Sequence, residues 1–534
     1  MKKNLFKILL SLNFIFLSSF ISTAQYIPQS PTQNDIYTFL DELNADFNPA
    51  IKPLGRARIL TILENTDPST LNPRQKKELA FYLRDFNKEK YPHKNFHRRT
   101  DLLYIRDSTF SLTINPIGGG ELMLNGEGSA YYWWNGLYAN ASTGNWSFWA
   151  SLTDNHESEK FMTPSFLTQR QGGANIKIFS GGQQDYWDSR GGVAYSWEKG
   201  YIGLMKENFS WGSGYNGSVI FSGRTPSFAH LALQLRPVKW FEFNYIHGWL
   251  VSEVIDSSKS YYYFSSSGAL TFRKMYHNKF IAANIFTFKP LKELHISAGN
   301  AIIYDYDNAH PGYLIPVLFY KAVDHHLQSG MDNMNSMIFM DISVKPIPHT
   351  HLFATVFVDE LAVKRILDPD EYNYLSLKGG FRINNLVDNT YIGAELTWTN
   401  VYTFRHYTPT LTYASNRYNL GHYMSDNARE LYFNAGYKPY PLTDISIFYI
   451  RSIKGPDHTM LGSARVGIMP FTPVVWESDK AGINASWQVI NDVWLHAGYT
   501  WQNIRGEQGY MDMYTPKFMQ GKKGIVNVGV RVSR

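Results

Sequence analysis

From about residue 107 onward the chain keeps a rhythm of two. Val526, Val528, Val530 and Val532 alternate with Asn527, Gly529, Arg531 and Ser533. Ile483, Ala485, Trp487 and Val489 alternate with Asn484, Ser486 and Gln488, and after Asn491-Asp492 the pattern resumes through Val493, Leu495, Ala497, Tyr499 and Trp501. Successive strand side chains point to opposite faces, so these runs build a sheet with one apolar and one polar face. Many runs last about nine or ten residues. Strands in water-soluble sheets average about five or six, whereas a tilted strand needs roughly 9–11 to cross hydrocarbon. Lipid also forbids an unpaired edge, so the sheet must close on itself. The expectation is a mainly β protein, a transmembrane antiparallel β-barrel. Its apolar residues face lipid and its polar ones face a wet or plugged lumen. About 428 residues at roughly 24 per strand and connection gives about 18 strands, an even number as such barrels require.

The connections agree with this. A Lys/Arg-Pro junction recurs in "LQLRPVKWFEF", "FTFKPLKELHIS", "ISVKPIPHTHLFATVFV" and "AGYKPYPLTDISIF". It reads as a short turn in which proline's missing N–H costs little. Longer connections, such as Asp305–Asn335 and Thr403–Asn427, alternate with these turns. Aromatics reach 16% of the chain, and Trp398, Tyr499 and Trp501 stand near strand ends, where interfacial girdles form. Bulky Trp240, His295 and Phe357 are expected to fill the lumen. Apolar runs such as "YLIPVLFY" (Tyr313–Tyr320) are too short to span as a helix.

The N-terminus differs. Residues 1–24 carry Lys2, Lys3 and Lys7, an apolar run and the small residues Ser22-Thr23-Ala24, the anatomy of a secretory signal peptide. Without those lysines the formal charge of +6 falls to +3, a balance that does not suggest nucleic acid as a partner. There is no cysteine, hence no disulfide, thiolate metal site or lipidated cysteine. Residues 25–106 read as a small helical bundle and linker. Ile36, Phe39, Leu40 and Leu43 have helical spacing, as do Ile59, Leu60, Ile62 and Leu63. In the third helix Asn72 caps, Pro73 takes the first position, and Leu79, Tyr82, Leu83 and Phe86 form the stripe. About 60 residues bury too little to stand alone, so the bundle should dock on the barrel at 107–534.

Chemical motifs are weak. Gly212, Gly214 and Gly217 spell G-x-G-x-x-G, but aromatic strand sequence flanks them instead of a following helix, which favours a glycine-rich inward bend. His349 and His351 would share a strand face, yet have no third ligand. There is no nucleophile with a neighbouring base, so an enzyme is not expected, nor any cofactor or metal. Asparagine and aspartate beside aromatic rings suit a glycan. Trp211, Tyr215, Arg224, Asp332, Asn333, Asn335, Asp359 and Glu360 form the candidate carbohydrate-binding set, each also readable as part of a lumen network.

The stretches "KPLGRARI", "LNPRQKKELAFYLRDF", "WGSGYNGSVIFSGRTPSFAHLALQL" and "DNMNSMIFMDISVKP…VFVDEL" occur in an order and spacing that resembles the Wzi-type capsule assembly family of outer-membrane proteins. The resemblance covers nearly the whole chain after the leader. It implies an 18-stranded barrel in the outer membrane with a periplasmic helical bundle. It also implies a non-enzymatic, lectin-like role in holding capsular or exopolysaccharide, with surface polysaccharide as partner. The gliding-motility-associated branch of Bacteroidetes-type bacteria is the one it looks like, with envelope or motility proteins as partners at the bundle. The chain departs from many outer-membrane barrels by ending "VRVSR" and not on an aromatic residue. A diffusion porin and an anchor for adhesion or motility proteins are the alternatives.

Overall fold

The computed structural model describes residues 25–30, 34–87, 101–107, 110–327, 333–362, 365, 373–458 and 470–532. The leader over 1–24 and Asp332 lie outside them. Eighteen long strands close into one antiparallel barrel. In chain order they are β1 (Phe110–Asn125), β2 (Gly128–Thr143), β3 (Trp146–Glu157), β4 (Gln184–Trp197), β5 (Gly200–Glu207), β6 (Phe228–Val238), β7 (Phe241–Trp249), β8 (Phe280–Leu291) and β9 (Leu294–Tyr304). They continue as β10 (Met334–Val344), β11 (Thr350–Glu360), β12 (Tyr374–Asn384), β13 (Thr390–Thr399), β14 (Ala428–Tyr437), β15 (Thr443–Lys454), β16 (Trp476–Ile490), β17 (Val493–Gly506) and β18 (Gly521–Val532). Each pairs with its sequence neighbour, and β18 returns to β1 through Val526↔Leu124 to Val532↔Gly118.

The outward face is apolar as the alternation requires. Val526, Val528 and Val530 are 41–44% exposed, and Ile483, Leu396, Leu431, Tyr499 and Trp501 stand out beside them. Short connections gather at one end, at 144–145, 198–199, 239–240, 292–293, 345–349, 385–389, 438–442 and 491–492. Apart from the turn at 126–127, the long ones gather at the other. Two of the Lys/Arg-Pro junctions sit one step earlier than expected. Pro237 and Pro290 lie inside β6 and β8, where the register shifts between Leu235 and Val238 and between Phe288 and Leu291. A bulge, like a turn, asks no ladder hydrogen bond of proline.

Helices α1 (Asn34–Glu42), α2 (Arg56–Glu64) and α3 (Pro73–Phe86) pack around Phe39, Leu40, Ile59, Leu63, Leu79, Tyr82 and Phe86. α3 starts on the expected cap: the Asn72 side chain accepts from the Gln75 N–H while the Gln75 side chain accepts from the Asn72 N–H. The bundle is fastened to the short-turn end. Leu442, from the turn after β14, joins its core. Lys438 pairs with Glu42 at 2.9 Å and Lys345 with Asp41 at 3.2 Å. Asn389 accepts from Asn72 and Arg74, and Arg531 reaches Asp35.

Three distant pieces of chain fill the middle of the lumen: the N-terminal segment with Tyr26, Ile27 and Ile51, the 208–227 loop with Phe209, Trp211 and Phe221, and the 400–427 loop with Phe404, Leu411, Tyr413 and Leu420. Ile51–Lys52 and Ser210–Trp211 pair as a short ribbon. The wall answers with Ala283, Ile285, Ala301, Ile303, Phe339 and Phe357, each large side chain contributing about 1.5–3 kcal/mol by burial. His295 and Phe357 therefore do face inward. Trp240 does not: it is 57% exposed at the turn before β7, beside Phe288 on the outer wall.

Candidate functional site

The glycine stretch is the plug's tip, and its backbone conformation explains its composition. Gly212, Gly214 and Gly217 have φ of 102°, 147° and 82°. These values exclude most side chains, and a Cβ on Gly214 would also lie 2.7 Å from the Gly217 carbonyl and the Lys378 side chain. The freed N–H groups bind anions, but the anions come from the barrel wall. Asp341 accepts from the Ser213 N–H and hydroxyl, both at 2.8 Å. Glu395 accepts from the N–H groups of Tyr215 and Asn216 while paired with Lys378 at 2.6 Å. The Asn216 side chain donates to Glu430.

The Tyr215 hydroxyl closes the chain of contacts to the helices, donating to Asp41 at 2.8 Å and lying 2.7 Å from His351 Nδ1. Burial alone would raise the Asp41 carboxyl. Lys345, His351, Arg382 and the Tyr215 hydroxyl outweigh it and hold the group well below the usual carboxylate range. His349 stands outside β11 at φ 64°, its Nδ1 3.1 Å from the Glu42 carbonyl, while His351 points inward to Tyr215 and Ser343. The pair therefore does not converge as metal ligands, because the turn residue has left the strand's alternation.

Burial pulls the neighbouring Lys52 ammonium down to about 8, against Asp41 and Glu395. Between that value and the ordinary 10.5 the unfolded chain holds more protons, so stability should rise with pH across this window. Thermal unfolding in detergent is expected to show a gain from about pH 8 to about pH 10 that is smaller in Lys52→Met. An identical pH response in both proteins would contradict this assignment.

The candidate set does not form one site. Trp211, 3% exposed, belongs to the lumen core. Tyr215 joins plug to helices. Arg224 lies over the Tyr423 ring and donates to the Arg170 carbonyl. Asn335 is buried and Asp359 half-buried on adjacent strands near the long-loop end, the Asn333 carbonyl accepts from the Asp305 N–H, and Glu360 pairs with Arg365 at 2.9 Å.

A different group of residues lines an open cleft of about 370 Å³ between the plug and β1–β5. Tyr132, Trp134 and Tyr138 descend β2 on its inward face, Trp149 and Asn155 come from β3, and Tyr186, Asp188 and Arg190 from β4. Six residues of strand separate Tyr132 from Tyr138, about 20 Å at 3.3 Å per residue, so the cleft is elongated. The Tyr132 and Trp134 rings stack at 5.0 Å. Arg170 lies 4.4 Å over Tyr132 and pairs with Glu157, and Arg190 pairs with Asp188. Trp149 Nε1 donates to Glu207, and the Tyr132 hydroxyl to Asn155. Aromatic faces with paired charges offer apolar contact together with donors and acceptors. A second cavity of about 400 Å³, lined by Tyr215, Arg382, Tyr391, Tyr432 and Trp494, lies against the helices.

Sequence reasoning missed the cleft because "AYYWWNGLY" puts aromatics on both faces: Tyr131 and Trp133 outward, Tyr132 and Trp134 inward. Its one usable signal was the spacing Tyr132, Trp134, Tyr138 on a single parity.

The sequence matches no protein-family model and no curated relative. Among solved structures, the chain is similar to Wzi of Escherichia coli, described as an outer-membrane, carbohydrate-binding β-barrel involved in group 1 capsule assembly. The TM-score is 0.59 at 12% identity, over 95% of this chain and 99% of that one. OccAB2 of Acinetobacter baumannii overlaps more loosely, with a TM-score of 0.42 at 8% identity over 79% of this chain and 97% of that one. OprD of Pseudomonas aeruginosa gives 0.40 at 9% over 81% and 96%. Those two overlaps carry no argument here. The closed 18-stranded barrel thus shares its fold with the Wzi outer-membrane barrel over nearly the whole of both chains.

Proposed function

We propose that this protein holds capsular or exopolysaccharide at the cell surface, as a binding protein and not an enzyme. The long loops would face outward and the helices the periplasm. The observation that carries the reading is the elongated, aromatic, charge-paired cleft inside a barrel whose centre is filled. Sugars present apolar C–H faces to rings and hydroxyls to amides, carboxylates and guanidinium groups, and this lining offers both. The likeness to a barrel described as carbohydrate-binding supports it. The outer side of the bundle, where Glu64, Lys76 and Lys77 are exposed, is the surface we assign to envelope or motility proteins.

Deletion of the protein is expected to release polysaccharide into the medium. Purified protein in detergent should retain surface polysaccharide from the same cells. Trp134→Ala should weaken that retention by about 30-fold, the loss of a tryptophan anchor worth about 2 kcal/mol. Unchanged cell-surface polysaccharide after deletion would overturn the reading, as would steady single-channel current through the intact protein in planar bilayers.

A further inference from the structure

The apolar run "YLIPVLFY" plays no part in the lumen, and the structure places it on the outside of the wall. Cross-strand partners share a face, which fixes the parity. Asn284 of β8 pairs with Tyr245 of β7 and with Asn300 of β9, and Asn300 pairs with Ile338 of β10. Ile338 is 40% exposed on the outer wall, and Phe288, four residues along β8 from Asn284, is 45% exposed. The alternate residues Ala283, Ile285, Ala301 and Ile303 lie in the lumen core. Two asparagines therefore point toward lipid.

Their depth is also readable. β7 runs between exposed Trp240 at the short-turn end and Trp249 at the long-loop end, and Tyr245, opposite Asn284, is near its midpoint. An unpartnered amide at such a depth would cost several kcal/mol. Neither asparagine is unpartnered. Asn284 donates to the carbonyls of Pro316 and Leu318 at 2.8 and 2.9 Å and accepts from Asn300 at 2.7 Å, and the Tyr320 N–H donates to Asn300 at 2.9 Å. The Tyr245 hydroxyl donates to the Tyr313 carbonyl at 2.9 Å. Tyr313 and Tyr320 are fully buried against Phe243, Phe280, Ile302 and Tyr304. The other side of the run is apolar and open: Leu314, Ile315, Val317 and Phe319 are 40–62% exposed.

We propose that the chain from Tyr313 to Tyr320 is a strap immersed in lipid acyl chains, clasped to the outer wall by Asn284 and Asn300. Irregular backbone is excluded from hydrocarbon because its polar groups go unsatisfied. Here the wall supplies the missing partners, and Pro316 brings no N–H needing one. Acyl chains are the occupant of the open side because its exposed side chains, Leu314, Ile315, Val317 and Phe319, are all apolar and the run is held at mid-strand on the same outer face as Phe288 and Ile338.

The absence of cysteine makes the test direct. Val317→Cys, with a fluorophore on the thiol, is reconstituted in phosphatidylcholine vesicles containing lipids brominated on the acyl chain. Phe288→Cys serves as the belt reference and Gln508→Cys as the loop reference, each checked for a heat-modifiable barrel. The label at 317 is expected to be quenched by bromolipid as strongly as the label at 288 and to be several-fold less sensitive to aqueous iodide than the label at 508. In the Asn284→Leu/Asn300→Leu background, bromolipid quenching should fall, iodide quenching should rise several-fold, and trypsin should gain a cut at Lys321. Iodide quenching of the original Val317→Cys label would overturn the proposal. So would insensitivity to both quenchers, which would mean a protein covers the strap. Unchanged bromolipid quenching in the double variant would overturn the asparagine clasp.

Discussion

Arg74→Ala is expected to release the helical bundle from the mouth of the barrel while leaving the strands folded. Arg74 is 6% exposed and its guanidinium bridges Glu42 and Glu78, with its Nε on Asn389 of the barrel turn at 2.7 Å. Lys438 pairs with Glu42 and also acts on Glu78, which Arg74 contacts directly. Removing Arg74 leaves two buried carboxylates sharing Lys438 as their cation, a loss of about 3 kcal/mol, the low end for breaking a buried pair. Barrel and bundle are separable in the measurement: the barrel keeps its heat-modifiable migration, while pulse proteolysis should cut within residues 56–86 at a much lower urea concentration than in the parent. Arg74→Lys keeps the charge but cannot bridge as a planar fork, and should fall between the two. Equal protease resistance in parent and alanine variant would rule out this cluster as the fastening.

Glu395→Gln should loosen the plug from the opposite side. Lys378 and Glu395 are almost completely shielded, with side chains 0% and 2% exposed, and the carboxylate also receives the N–H groups of Tyr215 and Asn216. A neutral amide leaves the ammonium buried without its counter-charge, again a loss of about 3–5 kcal/mol. Hydrogen exchange over residues 209–221 in detergent should accelerate by two orders of magnitude or more, while exchange over β16–β18 stays unchanged. Adding Lys378→Met removes the stranded charge and should restore much of the protection, because the coupling between the two sites is the quantity at stake. Identical exchange in the single and double variants would show that the pair is not what holds the tip.

The architecture was largely legible because lipid imposes one rule on every strand. The alternations through Val526–Val532 and Ile483–Val489 give wall strands in the expected sense, and the Asn72-Pro73 signal starts its helix where expected. Reading failed where the other side of the wall was also apolar. In "FIAANIF" at the start of β8 both faces are greasy, since Ala283 and Ile285 meet the lumen core while Phe280 and Ala282 meet the strap. Phe243 and Tyr245, which the alternation assigns to lipid, face outward yet are 2% and 5% exposed for the same reason. The site was less legible still. Trp211 and Tyr215 have the composition of a ligand site, but the plug's own contacts use them. Tyr132, Trp134 and Tyr186 sit in wall sequence whose aromatics read as girdle. Parity says which rings face inward, but whether they meet a packed plug or an open cleft depends on plug contacts such as the Tyr26 N–H on the Ser147 hydroxyl, more than a hundred residues apart in the chain.

The threaded interior bears on assembly. The centre of the lumen draws on residues 26–51, 209–221 and 404–420, and the final seam joins the first long strand to the last. Three segments so far apart in the chain meet inside a wall that is complete only when β18 reaches β1, so their mutual packing depends on contacts across nearly the whole chain. A chain that fails to tuck in the glycine tip would be expected to keep its wall and lose part of its filling, which widens the lumen.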